Sequence, residues 1–220
     1  MKGVLIFGAG QVARSLAEIL ETSGARVRAF VVDRERMENS YPIGVPVVAC
    51  ESVAEQFNPM AYAFVIGIGF RGLNGPRQSK FTMMKSLGYE PYTFVDRNAR
   101  VARSAKIGSG AFIQAGNEIQ TGAIIGDGAM LWSGNHFGHD SRLGSHSWIS
   151  SHVCVSGGCS IGQRTFIGSG AVIGDRRAIG MDCIIGAGAT VLDDVPSNAY
   201  VPGPRSEIKL DVAMRMARFL

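Results

Sequence analysis

From Val95 to Val191 an aliphatic or aromatic residue recurs at every sixth position without a slip: Val95, Val101, Ile107, Ile113, Ile119, Ile125, Leu131, Phe137, Leu143, Ile149, Val155, Ile161, Ile167, Ile173, Ile179, Ile185 and Val191. Glycine follows directly at positions 108, 126, 138, 144, 162, 168, 174, 180 and 186. An α-helix repeats at about 3.6 residues and a strand at about 2, so neither produces this pattern. A chain that turns a corner every six residues does. Each hexapeptide is then a short strand and a turn, with the aliphatic side chain on the axis and the glycine relieving crowding at the bend. The pattern predicts a parallel β-helix over residues 96–204.

An open coil exposes unpaired backbone and apolar side chains at both ends. Residues 1–95 are expected to cover one of them. At the other, Val201-Pro202-Gly203-Pro204 breaks the repeat, and Leu210, Val212, Ala213, Met216, Ala217 and Leu220 recur on one helical face. That spacing predicts a capping helix over 205–220.

The first 95 residues follow other periods. Val4-Leu5-Ile6-Phe7 reads as a buried strand, and Gly8-Ala9-Gly10-Gln11-Val12-Ala13 as a glycine turn into a helix with Leu16, Ala17, Ile19 and Leu20 on one face. Val27 to Val32 is a second apolar strand, closed by Asp33. This is a Rossmann-like βαβ unit: amides at the helix start face a phosphate, and an acid closing the second strand meets a ribose hydroxyl or a base. Tyr62 to Ile66 reads as a strand leading into Gly67-Ile68-Gly69-Phe70-Arg71, Thr82 to Leu87 as a helix, and Tyr92 to Val95 as a strand. The unit is small for a dinucleotide-binding dehydrogenase domain and has room for one mononucleotide.

Composition narrows the partners. No segment approaches the ~18 uncharged apolar residues of a membrane span, and the apolar run before Gly8 is too short for a signal peptide. The net charge of +4 is spread without a basic block, which suits anionic small molecules and gives no footprint for nucleic acid. Cys50, Cys154, Cys159 and Cys183 show no CxxC pair. Together these features predict a cytoplasmic protein with reduced thiols, bound to neither membrane nor nucleic acid.

All four histidines, His136, His139, His146 and His152, fall within one stretch of seventeen residues. Acyl transfer needs a base that takes the nucleophile's proton during attack, and imidazole has a suitable pKa. A neighbouring acid that hydrogen-bonds the other ring nitrogen sets its tautomer. A zinc site of the carbonic anhydrase type is a different use of histidines on a β-helix and needs three of them to converge. The six-residue count sets His136 and His139 apart from His146 and His152, so no metal site is expected.

A nucleotide-type βαβ half joined to hexapeptide repeats, with His139-Asp140 and a Val-Pro-Gly-Pro close, resembles the sialic acid O-acetyltransferase-like family of sugar acetyltransferases along nearly the whole chain. The resemblance implies an α/β amino-terminal domain on an all-β left-handed parallel β-helix. It further implies a homotrimer with sites between subunits, acetyl-CoA as donor, and a nucleotide-linked amino sugar as acceptor, in surface polysaccharide or glycan biosynthesis. His139 is then the general base and Asp140 its partner, and Ser156, Gly157, Gly158, Gly186 and Ala187 line the acetyl-CoA groove, with Arg205 and Lys209 near its phosphates. Gly8, Gly10, Gln11, Asp33, Gly69 and Arg71 hold the nucleotide, and His136 contacts substrate. The position nine residues after His139, where the family often has a second histidine, holds Trp148, so that part either falls to His146 or His152 or is absent. O-acetylation of a sugar hydroxyl fits the same base, and a nucleotide-sugar sensor is the non-catalytic alternative.

Overall fold

The computed structural model describes residues 2–37 and 44–206. The expected carboxy-terminal helix and Lys209 lie outside the described residues. The amino-terminal unit runs β1 (Gly3–Phe7), α1 (Gln11–Thr22), β2 (Val27–Val32), β3 (Val47–Ala49), α2 (Val53–Gln56), β4 (Tyr62–Ile66), α3 (Gly75–Ser86) and β5 (Glu90–Pro91). Its five strands are parallel in the order β3-β2-β1-β4-β5. Strand order therefore reverses between β1 and β4, and loops leaving the two diverge to opposite sides and open a crevice there.

Helix α3 begins seven residues before the expected Thr82. Gly75-Pro76 looks like a breaker in sequence, yet proline in the first turn lacks only an N–H that has no intrahelical partner anyway. Short β3 and α2 carry too little periodicity to be read from sequence.

From Phe94 onward the chain coils into a three-sided prism of parallel sheets with seven, six and five strands. Face 1 starts with Phe94–Val95, face 2 with Arg100–Val101 and face 3 with Lys106–Ile107. Phe94 and Val95 pair with Phe112 and Ile113, so the first rung falls within the stretch assigned from sequence to the amino-terminal unit. The second residue of each two-residue strand points inward, and Ile113, Ile119, Ile125, Leu131, Phe137 and their successors form one continuous buried core. The third residue after each of these turns the corner in the left-handed region, filled by glycine at Gly110 and Gly128 but by Asp140, His146 and His152 further along. Non-glycine residues there are a local strain that asparagine and aspartate bear best.

The amino-terminal unit does not sit on an end of the prism, as expected, but against its side. On face 1 the outward residue of each strand is large and apolar: Phe94, Phe112, Met130 and Trp148 are all buried against Val4, Ile6, Leu16, Leu20 and Val65, with Phe166 packed beside them. The same outward position on face 2 holds Arg100, Glu118 and His136, and on face 3 Lys106 and Arg142. Burying each face-1 side chain is worth roughly 1.5–3 kcal/mol, so this stripe decides where the unit docks. The stripe recurs every eighteen residues, a signal already present in the sequence beneath the six-residue period.

Arg77 and His146 lock the junction. Arg77 of α3 donates to Ile66 O (3.1 Å), Ile68 O (2.8 Å) and Gly128 O (3.3 Å), and its guanidinium stacks on Trp148 at 5.2 Å. Asn74 donates to Arg164 O at 3.1 Å. His146 packs edge-on to Phe81 at 4.9 Å. Burial, helped by the charges of Arg77 and Arg164 and opposed by Asp127, pushes the His146 pKa from 6.5 down to about 4. The folded chain thus keeps His146 neutral while the unfolded chain protonates it below about pH 6.5. Stability should fall as pH drops from 6.5 towards 4, by up to about 3 kcal/mol. Thermal melts across this window should show a shallower slope for His146→Asn, a residue that tolerates the left-handed backbone.

Candidate functional site

The four histidines are separated by the fold. His136 points outward from face 2, His139 lies on the edge between faces 2 and 3, His146 on the edge between faces 3 and 1, and His152 on the edge between faces 1 and 2. Each hexapeptide advances by one face, so neighbours in sequence end on different sides. Among the described residues no three His, Cys, Asp or Glu side chains gather as a metal site.

His139 has the most specific surroundings. Its Nδ1 lies 3.1 Å from Asp140 Oδ2, and both side chains are exposed. Asp140 stands at the left-handed corner position with φ +57°, so the turn itself throws the carboxylate back beside the preceding ring. The His139 N–H donates to Gln120 Oε1 at 3.1 Å, and His139 O accepts from Gly158 N–H at 2.8 Å. These contacts tie the residue to the coils on either side. A Cβ at Gly157 would come within 2.6 Å of His139 Cε1 and closer still to Nε2. The ring therefore lies across Gly157 with Nε2 facing that turn. An open groove runs along face 2 from Arg100 and Glu118 past Gln120 to His139. This arrangement can hold one imidazole in a single tautomer, with a free ring nitrogen beside a glycine backbone.

Ser156, Gly157 and Gly158 occupy the same edge as His139, one coil further on. Gly186 and Ala187 lie on the edge between faces 1 and 2, so a single chain does not bring them to His139. Arg205 is exposed just beyond Gly203, whose backbone stacks on Ala187. Trp148 is 3% exposed and packs against Phe70 (5.5 Å) and Arg77. Together with His146, it belongs to the domain junction rather than to the groove. His152 is exposed and lies over Gly134.

A second constellation flanks the crevice between β1 and β4. Gly8 follows β1 with φ +110°, and a Cβ there would strike Ile68 Cγ2 at 2.9 Å, so only glycine lets the two loops approach. Gly10 caps α1 with no side-chain bond to the helix start, and Gln11 is its exposed first residue. Gly69 and exposed Arg71 follow β4 on the facing side. Asp33 closes β2 as expected but is not free: its Oδ1 takes Lys80 Nζ at 2.5 Å and Cys50 Sγ at 3.5 Å. Burial foremost, then the neighbouring carboxylates Glu51 and Asp33, raises the Cys50 pKa to about 11 and keeps it a thiol. Sequence reasoning missed Lys80, which reaches Asp33 from α3 across 47 positions, and Gln120, whose role depends on coil stacking.

The family model for bacterial transferase hexapeptide repeats (six repeats) matches residues 140–175 and 158–193. Among solved structures, the chain is similar to a histidine-to-asparagine variant of the perosamine N-acetyltransferase from Caulobacter crescentus in complex with CoA and GDP-perosamine. The two share 30% identity over 96% of this chain and 98% of that one, with a TM-score of 0.83. The acetyltransferase domain of PglB from Neisseria gonorrhoeae matches at 26% identity, covering 94% of this chain and all of that one (100%), with a TM-score of 0.81. WeeI from Acinetobacter baumannii shares the fold at 19% identity, covering 95% and 100%, with a TM-score of 0.82. A comparison with curated proteins returns no match.

Gly157 takes no left-handed φ, so alanine is allowed there by the backbone and meets the imidazole of His139 first. A crystal structure of Gly157→Ala should show the fold intact and the His139 ring turned off its coil, with the contact to Asp140 broken.

Proposed function

This chain belongs to the hexapeptide-repeat sugar acetyltransferases, and on that premise we propose that it moves the acetyl group of acetyl-CoA to the amine of a nucleotide-linked amino sugar, with His139 as the general base. The fold is a left-handed parallel β-helix carrying a Rossmann-like unit. The observation that carries the reading is the pose of His139: Nδ1 on Asp140, Nε2 over Gly157. In the neutral ring Asp140 holds the proton on Nδ1 and leaves Nε2 as the acceptor.

As the amine attacks the thioester carbonyl, its N–H proton passes to His139 Nε2. The new N–C bond forms, the C–S bond breaks, and the protonated imidazole returns the proton to the departing thiolate. Asp140 stabilises the transient imidazolium. The bare turn at Gly157 and Gly158 lets the donor's thin pantetheine arm lie against the coil beside Nε2, where the Gly157 amide, unlike that of Gly158, is not already used by His139 O and meets the thioester oxygen.

The acceptor's nucleotide belongs in the crevice between β1 and β4, with its phosphates at Gly8, Gly10, Gln11, Gly69 and Arg71 and its nucleoside towards Asp33 and Lys80. That assignment has a geometric consequence. The amino-terminal unit rests on face 1, whereas His139 lies on the opposite edge of the same prism, between faces 2 and 3. A sugar held by one chain thus meets the His139 of a neighbouring copy, which supports a homotrimer with shared sites. His136 on face 2 and Gly186 and Ala187 on another edge then act across the same interface, the latter two along the acetyl-CoA path. Free thiols at all four cysteines support a reducing, cytoplasmic setting, and no described helix is long and apolar enough to cross a membrane.

Thiol release from acetyl-CoA should be measured with GDP-, UDP- and dTDP-linked amino and hydroxy sugars. Turnover with an amino sugar is expected, with His139→Ala slower by about 100-fold or more, the usual contribution of a positioned base. Undiminished turnover in His139→Ala moves the base elsewhere, and turnover confined to hydroxy sugars makes the reaction an O-acetylation. For shared sites, chains carrying His139→Ala and chains carrying Asp33→Ala are mixed during assembly. Activity should exceed the sum of the two separate variants, whereas a site within one chain gives no gain.

A further inference from the structure

We infer that Arg77 is a positioning residue for the acceptor's diphosphate, acting through the Ile68–Gly69 peptide; this rests on the nucleotide-sugar reading of the crevice above. Arg77 is 3% exposed. Its acceptors are the carbonyls of Ile66, Ile68 and Gly128, with no carboxylate in ion-pair reach among the described residues, and its Nε has no partner. A buried cation without a counter-ion is costly to keep, and of its three carbonyl bonds only the one to Gly128 O crosses to the prism. Burial lowers its pKa only to about 10, so it is charged at neutral pH.

Its placement shows what the charge does. Ile68 O points at the guanidinium at 2.8 Å, and in a trans peptide the following N–H points the opposite way. Gly69 N–H is therefore turned away from Arg77 and finds no acceptor among the described residues. A Cβ on Gly69 would meet only Val12 Cγ2, at 3.9 Å, so the space beside it opens onto the first turn of α1. There the earliest amides of the helix have no intrahelical acceptor, since the bond from Arg14 N–H to Gly10 O begins the ladder. Arg77 thus fixes the orientation of the Ile68–Gly69 peptide in the loop beside that turn, and the charge on its carbonyl polarises the Gly69 amide into a stronger donor. The nearby Gly67 N–H is already used by Phe7 O at 2.8 Å, whereas the Gly69 N–H is unclaimed among the described residues.

The test is calorimetric titration of wild type and Arg77→Lys with GDP, UDP and dTDP and with the parent nucleosides, beside Michaelis constants for both substrates. Lysine keeps the charge but does not span three carbonyls. The bound diphosphate should weaken about tenfold, the worth of one charge-assisted bond, while the nucleoside and the KM for acetyl-CoA stay within about twofold. A readout without any variant is the Gly69 amide resonance in wild type, which should move with the diphosphate and stay with the nucleoside. Equal losses for diphosphate and nucleoside, a rise in both KM values with a lowered Tm, or a silent Gly69 amide overturns the inference in favour of a purely structural Arg77. If wild type binds none of the three diphosphates, the nucleotide-sugar reading itself fails, a result distinct from a Gly69 amide that stays silent while wild type binds.

Discussion

Everything in this molecule depends on parallel stacking with an eighteen-residue return. After three hexapeptides the chain comes back to the same face one coil higher, and each inward aliphatic meets its counterpart below. Ile113, Leu131, Ile149, Ile167 and Ile185 form one such file, fully removed from water. Because a strand is only two residues long, no coil is stable alone; stability comes from neighbours. The polar interior obeys the same return, as Asn135 accepts from Val153 N–H and donates to Asn117 Oδ1, each eighteen residues away. A regular prism leaves every outward position free to vary, and it is there that docking and chemistry are written.

The outward positions divide by face. Face 1 spends them on aromatic side chains and acquires the amino-terminal unit. The opposite edge carries His139-Asp140 and the glycines of the next coil. This division separates the crevice between β1 and β4 from His139 within one chain, and under the proposed function it makes assembly part of the chemistry. The junction pins as well as joins: Phe70, Asn74 and Arg77 fasten the loop after β4 to the prism, so the loop that borders the crevice is held by the surface on which the unit rests.

Legibility followed periodicity. The β-helix could be read residue by residue, since seventeen inward positions kept one register. The glycine turn after β1 could be read because a strand that passes straight into a helix has few backbone solutions, as the positive φ of Gly8 shows. Lys80 could not, because it reaches Asp33 through the packing of α3 on the sheet. Trp148 was ambiguous for a related reason: it stands nine residues after His139, where the resembling family often has a second histidine, but the six-residue repeat carries it to another face, under Phe70 and Arg77. The side-on docking was latent in Phe94, Phe112, Met130, Trp148 and Phe166, a period hidden beneath a shorter and stronger one.

The sequence by itself determined the coil, its register and the type of turn that follows β1, because each rests on local sterics and on a repeat that admits one fold. It also gathered every histidine into one stretch of seventeen residues. Only the tertiary structure decided which histidine lies over a bare glycine turn, which is buried and neutral at a junction, and which edge faces away from the crevice between β1 and β4. Those outcomes depend on how coils stack and on which face is apolar enough to be covered, relations between residues eighteen or more positions apart that no single hexapeptide contains.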